Sequence, residues 1–205
     1  MNWFKKLYDW VISWSESKYG PALLFFLAFI ESIFFPIPPD ILLIALALGA
    51  SAKAFKYALI CTAGSVSGAF VGYYIGNILW LTSTGEFSPF ANFFFTNIPG
   101  FSVELYESIK NLFIEWDFWV IFTAGFTPIP YKVFTISAGA FDINLAMFAI
   151  ASLVSRGARF FIIGWLIWKY GSRIKLFIEK YFNLLALAFT VVLIGGFVLI
   201  KYLGS

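Results

Sequence analysis

Five charged residues lie in or beside segments of the sequence that are otherwise apolar: Glu31, Asp40, Lys132, Arg156 and Arg159. A charge at the centre of a bilayer costs at least about 2.5 to 3.5 kcal/mol on insertion scales, so such residues are expected to face the protein interior, paired or hydrated. Arg156 and Arg159 are three residues apart and share one face of a predicted helix, where two guanidinium groups could bind one anion. A carboxylate held in an apolar cavity could load and release a proton.

Two interpretations of these charges remain open. In the structural one, ion pairs such as Glu31 with Arg156 and Asp40 with Lys132 hold two parts of the chain together. In the functional one, an anionic headgroup such as phosphate binds to Lys132, Arg156 and Arg159, while Glu31 and Asp40 exchange protons. The two are compatible, because a headgroup could compete with the acids for the same arginines.

The composition sets the class of protein. Of 205 residues, 61% are hydrophobic and 12% are charged, whereas soluble domains carry roughly 25% charged residues. The sequence therefore predicts one all-α integral membrane domain over residues 1–205. The absence of histidine excludes histidine-based metal sites and a Ser-His-Asp triad, and the single cysteine, Cys61, excludes an intrachain disulfide. No enzyme, cofactor or metal is predicted, and the net charge of +3 without a basic run gives no support to a nucleic-acid partner.

Two proline motifs interrupt the apolar segments. The first contains Pro36, Pro38 and Pro39, and the second contains Pro128 and Pro130. Residues 21–35 before the first motif would give only about 22 Å of helix, which is shorter than a hydrocarbon core of about 30 Å. One interpretation is a single kinked helix, and the other is a re-entrant hairpin with the prolines at its tip. The hairpin is favoured because three prolines in four residues exceed what a kink requires.

Two longer apolar segments are predicted to span the membrane, at residues 57–82 and 144–168, and a third at 183–203. In the first of them glycine recurs every fourth residue, at Gly64, Gly68, Gly72 and Gly76. Such spacing gives a smooth helix face on which another backbone can pack closely. Helix packing is therefore the expected role of these glycines.

The order of segments repeats. Residues 1–19 are predicted to form an interfacial amphipathic helix, followed by a hairpin and a spanning helix in residues 20–82. Residues 83–117 contain a loop-like segment up to residue 100 and a second amphipathic helix. A second hairpin, with arms at residues 118–126 and 133–141, and a second spanning helix fill residues 118–170. Residues 171–205 add one extra helix.

The distribution of charge predicts the orientation of the two repeats. Lysine and arginine flank the first repeat and follow the second, whereas residues 83–117 contain five acidic residues and one lysine. The positive-inside rule then places the N-terminus in the cytoplasm and makes the two hairpins enter from opposite sides. Inverted repeats whose broken helices meet near the midplane are typical of transporters.

Three motifs together resemble the DedA family, whose members carry the SNARE-associated or VTT domain, and in particular its YqaA-like branch. The motifs are Glu-x4-Pro-x-Pro-x-Asp from Glu31 to Asp40, the glycine series from Gly64 to Gly76, and Pro-Ile-Pro-Tyr-Lys-x6-Gly from Pro128 to Gly139 followed by Arg156 and Arg159. The chain departs from the family pattern at Ala69, where many members have an acid, and at Thr127 and Lys132, where many have arginines.

The resemblance implies a multi-pass protein of the bacterial inner membrane with two opposed hairpins that moves lipids across the bilayer with proton-motive-force dependence. The associated substrates are undecaprenyl phosphate and phosphatidylethanolamine, and the membrane-embedded acids of the family match Glu31 and Asp40. The expected partners are membrane lipids and protons, with a homo-oligomer left open. A proton-coupled small-ion carrier or channel and a structural membrane scaffold are the alternatives.

Overall fold

The computed structural model describes residues 17–35, 37–97, 102–116, 118–127 and 130–171. The chain divides into two compact units, Met1–Trp168 and Lys169–Ser205, and the architecture and site below belong to the first. The predicted amphipathic helix at the N-terminus, apart from residues 17–19, and the predicted span at 183–203 lie outside the described residues.

Regular secondary structure in the described residues is helical, which confirms the predicted all-α class. The helices are α1 (Gly20–Glu31), α2 (Asp40–Gly49), a 3₁₀ turn (Ser51–Lys53), α3 (Ala54–Trp80), α4 (Pro89–Asn97), α5 (Val103–Trp116), α6 (Phe118–Phe126), α7 (Tyr131–Ala140) and α8 (Leu145–Tyr170). A single isolated bridge joins Leu81 and Phe87 in the turn after α3.

Both proline motifs end one helix and precede another. The chain between α1 and α2 is not helical at residues 32–35 and 37–39, because proline lacks the backbone donor that continues a helix. The alternative of one continuous kinked helix is therefore wrong for the first motif. α1 has 12 residues and α2 has 10, which correspond to about 18 Å and 15 Å of helix.

Within the described residues, two helices are long and apolar enough to cross a membrane, judged by length and composition. They are Ser51–Trp80, with mean hydropathy 1.4, and Leu145–Tyr170, with mean hydropathy 1.6. They overlap the predicted spans at residues 57–82 and 144–168; the first begins six residues earlier than predicted, and the other ends differ by one or two residues.

The glycine face of α3 packs against two other helices, as its spacing predicts. A Cβ atom at Gly64 or Gly68 would overlap the backbone carbonyl of a residue in α1, and one at Gly72 or Gly76 would meet Thr135 or Ile136 of α7. α3 is therefore the central helix, with α1 along its N-terminal half and α7 along its C-terminal half.

The segment predicted as loop-like at residues 83–100 contains a helix, so that prediction is wrong for α4. Ser88 caps the helix, since its Oγ accepts a hydrogen bond from Ala91 N at 3.1 Å. Pro89 follows at the first helical position, where its missing donor costs nothing. The pair Ser88–Pro89 indicates the start of a helix. The many aromatic residues in the segment made this indication hard to recognise in the sequence.

The predicted amphipathic helix is observed as α5. Its inner edge buries Tyr106 and Phe113 against Phe141, with ring centroids at 5.1 and 5.0 Å. Its outer edge leaves Leu112 and Trp116 more than half exposed. Tyr106 donates a hydrogen bond to Ala140 O at 2.5 Å, and burial raises the pKa of Tyr106 to about 12. The hydroxyl thus stays protonated and keeps α5 attached to the end of α7 at ordinary pH.

Candidate functional site

The five charged residues singled out in the sequence converge in the structure. Glu31 is the last residue of α1 and Asp40 the first of α2, so both acids border the helix break. Lys132 lies in the first turn of α7, and Arg156 and Arg159 lie in the middle of α8. All four other charges act electrostatically on Glu31, so the five residues form one cluster.

The predicted hairpin tips are only partly described. Pro36 and Pro128 lie outside the described residues. Pro39 is buried next to Asp40, whereas Pro38 and Pro130 are exposed. The structure thus places one proline of the first motif directly beside the charged cluster.

Asp40 and Arg159 form a two-point ion pair. Arg159 Nε lies 2.9 Å from Asp40 Oδ1 and Nη2 lies 3.1 Å from Oδ2, while Nη1 donates to Phe126 O at 3.0 Å. Asp40 also lies in the first turn of α2, where the helix dipole stabilises a carboxylate. Arg159 therefore joins α8 to the start of α2 and the end of α6. The pairing of Asp40 with Lys132 suggested from the sequence is wrong, because Asp40 pairs with Arg159 and Lys132 Nζ donates to backbone carbonyls instead.

Glu31 and Arg156 form a more deeply buried pair with a single contact. Arg156 Nη2 lies 2.7 Å from Glu31 Oε2, and the two side chains are 4% and 14% exposed respectively. Arg156 Nε donates to Ser65 Oγ of α3 at 2.6 Å. This pairing was predicted from the sequence and is confirmed.

Ser65 belongs to a hydrogen-bond chain whose direction is fixed. Arginine has only donors, so Ser65 accepts from Arg156. Ser32 Oγ donates its proton to Ala28 O at 3.0 Å, so the 2.8 Å contact between the two serines must be donated by Ser65. The chain runs from Arg156 through Ser65 and Ser32 to the backbone of α1.

Two aromatic rings enclose the Arg156 guanidinium. Its Cζ lies 4.9 Å from the ring centroid of Tyr131 and 4.8 Å from that of Phe160, which is within the range of cation–π attraction. Both rings are fully buried, and Tyr131 is fixed by a 2.6 Å hydrogen bond from its hydroxyl to Ser152 Oγ. The rings therefore hold the guanidinium in one orientation.

Lys132 bonds to backbone rather than to a carboxylate. Its Nζ donates to Phe34 O and Phe35 O, each at 3.2 Å. These carbonyls lie just beyond the end of α1, where the prolines remove the helical donors that would otherwise satisfy them. Lys132 thus connects the start of α7 to the break between α1 and α2.

Sequence reasoning found the charged residues but missed the side chains that orient them, namely Ser32, Ser65, Tyr131 and Phe160. The serines carried a usable signal. Each is a small polar residue inside an apolar segment, and in such a segment a hydroxyl needs a partner. Tyr131 lies in the second proline motif, but its contact with Arg156 could not be predicted, since aromatic residues are common throughout this sequence.

Among the described residues, the cluster combines three cationic groups with two carboxylates. The remaining positive charge is balanced only by backbone carbonyls at Lys132. Such an arrangement favours binding of an additional anion, because the local potential is positive and the guanidinium groups are already oriented.

The Asp40–Arg159 pair is expected to show a coupling free energy of about 1 to 3 kcal/mol in a double-mutant cycle. The cycle combines Asp40→Asn with Arg159→Gln and compares free energies of unfolding. An exposed pair would give only about 0.2 to 1 kcal/mol. As a control, Glu31→Gln combined with Arg159→Gln should couple less, because these two side chains are neighbours without a hydrogen bond. Equal coupling in both cycles would contradict the two-point pairing.

Two proteins with known sequences are similar to this chain over nearly its whole length. An uncharacterized protein of Haemophilus influenzae is 32% identical over 204 residues, covering 98% of this chain and 100% of the relative. An uncharacterized protein of Histophilus somni is 32% identical over 184 residues, covering 87% of this chain and 91% of the relative. No family model matches the chain, and no solved structure matches it.

Proposed function

The chain belongs to the same family as the Haemophilus influenzae protein, and we propose that its function is to move a phosphate-bearing lipid across the bacterial inner membrane, coupled to protons. Undecaprenyl phosphate and a phospholipid such as phosphatidylethanolamine are the substrates we propose. We also propose that the chain is a member of the DedA family, because the motifs it shares with that family contain the charged cluster.

The observation that carries the proposal is the excess of positive charge at the helix break. Arg156, Arg159 and Lys132 meet two carboxylates there among the described residues. A lipid phosphate supplies the missing negative charge and several acceptor oxygens. An arginine can bind such a group through two parallel hydrogen bonds.

Exposed apolar side chains support the membrane placement. On α3, Leu59 and Ile78 are 59% and 70% exposed, and on α8, Ile150 and Leu153 are 59% and 55% exposed. On a spanning helix such residues would face lipid tails. We therefore propose that α3 and α8 cross the bilayer.

The order of helices supports an inverted repeat. Two short helices and one long helix, α1–α3, are followed after α4 and α5 by two short helices and one long helix, α6–α8. We propose that each short pair is a re-entrant hairpin and that the pairs enter from opposite leaflets, with a cytoplasmic N-terminus. In such proteins broken backbone at membrane depth lines a hydrated cavity.

In the proposed mechanism, the headgroup competes with a carboxylate for an arginine. The displaced carboxylate then takes up one proton from water, which offsets one negative charge of the lipid phosphate while the phosphate is bound. Return of the proton to water on the other side restores the ion pair and releases the headgroup. No covalent bond of the lipid is made or broken.

Vesicles containing the purified protein and a lipid with a labelled headgroup test this function. Glu31→Gln and Arg156→Ala are expected to abolish transbilayer movement of the headgroup while the variants still insert. Glu107→Gln is a matched control, because Glu107 is exposed on α5 away from the cluster, and it should transport normally.

Three outcomes of that assay would contradict parts of the proposal. Full transport by Glu31→Gln at every pH would remove the role of the proton. Ion flux without lipid movement would identify a small-ion carrier or channel. A chemical change in the lipid after incubation would indicate an enzyme.

A structural scaffold is the second candidate, and one observation favours it. Both arginines and Lys132 already have partners within the described residues, as a purely stabilising network requires. If the protein is a scaffold, the wild-type protein will move no lipid in vesicles, and the charge variants will be defective in folding.

A further inference from the structure

We propose that the two ion pairs have different roles: the Glu31–Arg156 pair opens to admit a phosphate oxyanion at Arg156, whereas the Asp40–Arg159 pair stays closed and holds the helices together. This inference rests on the proposed function, since it names the part of the cluster that receives the headgroup.

The pairs differ in their hydrogen bonding. Arg159 meets both oxygens of Asp40 and also the backbone of Phe126. Arg156 meets Glu31 through one nitrogen and one oxygen. Two-point pairing is stronger and more restricted in geometry than single contact, so Glu31 is the more easily displaced of the two acids.

The helix dipoles at the two acids also make Glu31 easier to displace than Asp40. Asp40 lies at the N-terminus of α2, where the partial positive charge of the helix stabilises a carboxylate. Glu31 lies at the C-terminus of α1, where the partial charge is negative and opposes a carboxylate. Departure of Glu31 therefore relieves an unfavourable interaction, and departure of Asp40 would remove a favourable one.

Arg156 does not depend on Glu31 for its position. Ser65 accepts its Nε–H at 2.6 Å, and the rings of Tyr131 and Phe160 lie on the guanidinium at 4.9 and 4.8 Å. These contacts come from α3, α7 and α8 and remain when the carboxylate leaves. The guanidinium is therefore preorganised for an anion, which lowers the cost of binding.

The position that the Glu31 carboxylate leaves can also stabilise an anion with more than one negative charge. Lys132 acts electrostatically on Glu31 together with Arg156, so an oxyanion that contacts Arg156 at the position of the carboxylate is also attracted by the charge of Lys132. A carboxylate carries one negative charge on two oxygens; a phosphate diester matches this, and a monoester carries about −1.5 to −2 on three oxygens. The ligand chemistry that fits best is a phosphate monoester or diester.

Binding of a phosphate to the full-length protein in detergent micelles tests the inference. The probes are dihexanoyl phosphatidic acid and inorganic phosphate, titrated by calorimetry. Glu31→Gln is expected to raise the affinity for the lipid phosphate about tenfold, because a charged competitor is removed. Asp40→Asn should leave the affinity unchanged or lower it.

Ser65→Ala tests the positioning of Arg156. We expect it to lower the affinity about tenfold, because the guanidinium loses its fixed acceptor. Ser155→Ala is the matched control. Ser155 is buried in α8 beside Arg156, and its hydroxyl bonds within its own helix to Ser152 O, so this variant should bind as the wild type does. Thermal unfolding of each variant reports stability separately from affinity.

Two results would overturn the inference. One is an increase in affinity with Asp40→Asn that equals or exceeds that with Glu31→Gln, and the other is unchanged affinity in a folded Ser65→Ala variant. Equal affinity for inorganic phosphate would identify free phosphate as the ligand and contradict the lipid source.

The transport assay separates this inference from the proposed function. Lipid movement by the wild type without the Glu31→Gln effect on binding overturns the inference alone. The binding effects without lipid movement overturn the function alone.

Discussion

Replacing Gly76 with alanine is expected to lower the free energy of unfolding by about 3 kcal/mol or more. A Cβ atom at Gly76 would overlap the carbonyl oxygen of Ile136 on α7. Backbone atoms cannot rotate away as a side chain can, so α3 and α7 would have to separate. Chemical or thermal unfolding of the purified protein in detergent measures the loss.

The contact between α3 and α7 can also be tested from the side of α7, and a glycine in α2 serves as a control. Gly139 on α7 faces the carbonyl of Tyr73 on α3, so Gly139→Ala requires the same separation of helices. The double variant should therefore lose less stability than the sum of the two single losses. Gly49→Ala is the control, because a Cβ there meets nothing within 4 Å, and it should be neutral or stabilise by about 0.4 to 1 kcal/mol. Wild-type stability in Gly76→Ala would show that the helices do not approach so closely.

Replacing Arg156 with alanine is expected to cost about 3 to 5 kcal/mol of stability. The substitution leaves the Glu31 carboxylate buried without its counter-ion and removes the donor to Ser65. It also removes the guanidinium from its contacts with the rings of Tyr131 and Phe160. Unfolding in detergent measures this loss.

Replacing both members of the Glu31–Arg156 pair with apolar residues distinguishes a loss of stability from a loss of transport. Replacing both partners, with Glu31→Leu and Arg156→Met, should restore most of the stability, because an apolar pair of similar volume removes the cost of burying two charges. Lipid movement should stay absent, since the guanidinium that receives the headgroup is gone. Normal transport by this double variant would exclude the pair from the transport mechanism.

Much of the fold could be predicted because its determinants are local. Prolines and runs of apolar residues set where helices end, so the arm predicted at residues 118–126 matches α6, and the arm predicted at 133–141 differs from α7 by one or two residues. The helix at Pro89–Asn97 was not predicted, because its capping residue, Ser88, lies in a segment rich in aromatic residues. The insertion of the hairpins and their inverted relation remain predictions.

The charged residues of the site could be predicted, but not all of their partners. Burial of a charge in an apolar segment is visible in the sequence, whereas the choice of partner depends on how helices far apart in the chain pack. Arg159 follows Asp40 by 119 residues, and no local pattern shows that it, rather than Lys132, reaches that carboxylate. The same holds for Ser65, which lies 91 residues before Arg156.

The long separation between acids and arginines has a consequence for biogenesis. Glu31 and Asp40 leave the ribosome 125 and 119 residues before their counter-ions, which at 5 to 20 residues per second is a delay of roughly 6 to 25 seconds. During that time the two carboxylates of the nascent chain lack their arginine partners. Until Lys132 is synthesised, the carbonyls of Phe34 and Phe35 also lack the donor that they have in the folded protein. Translation products that end before α8 therefore lack both arginines of the cluster, and we expect them to fold less stably than the full chain.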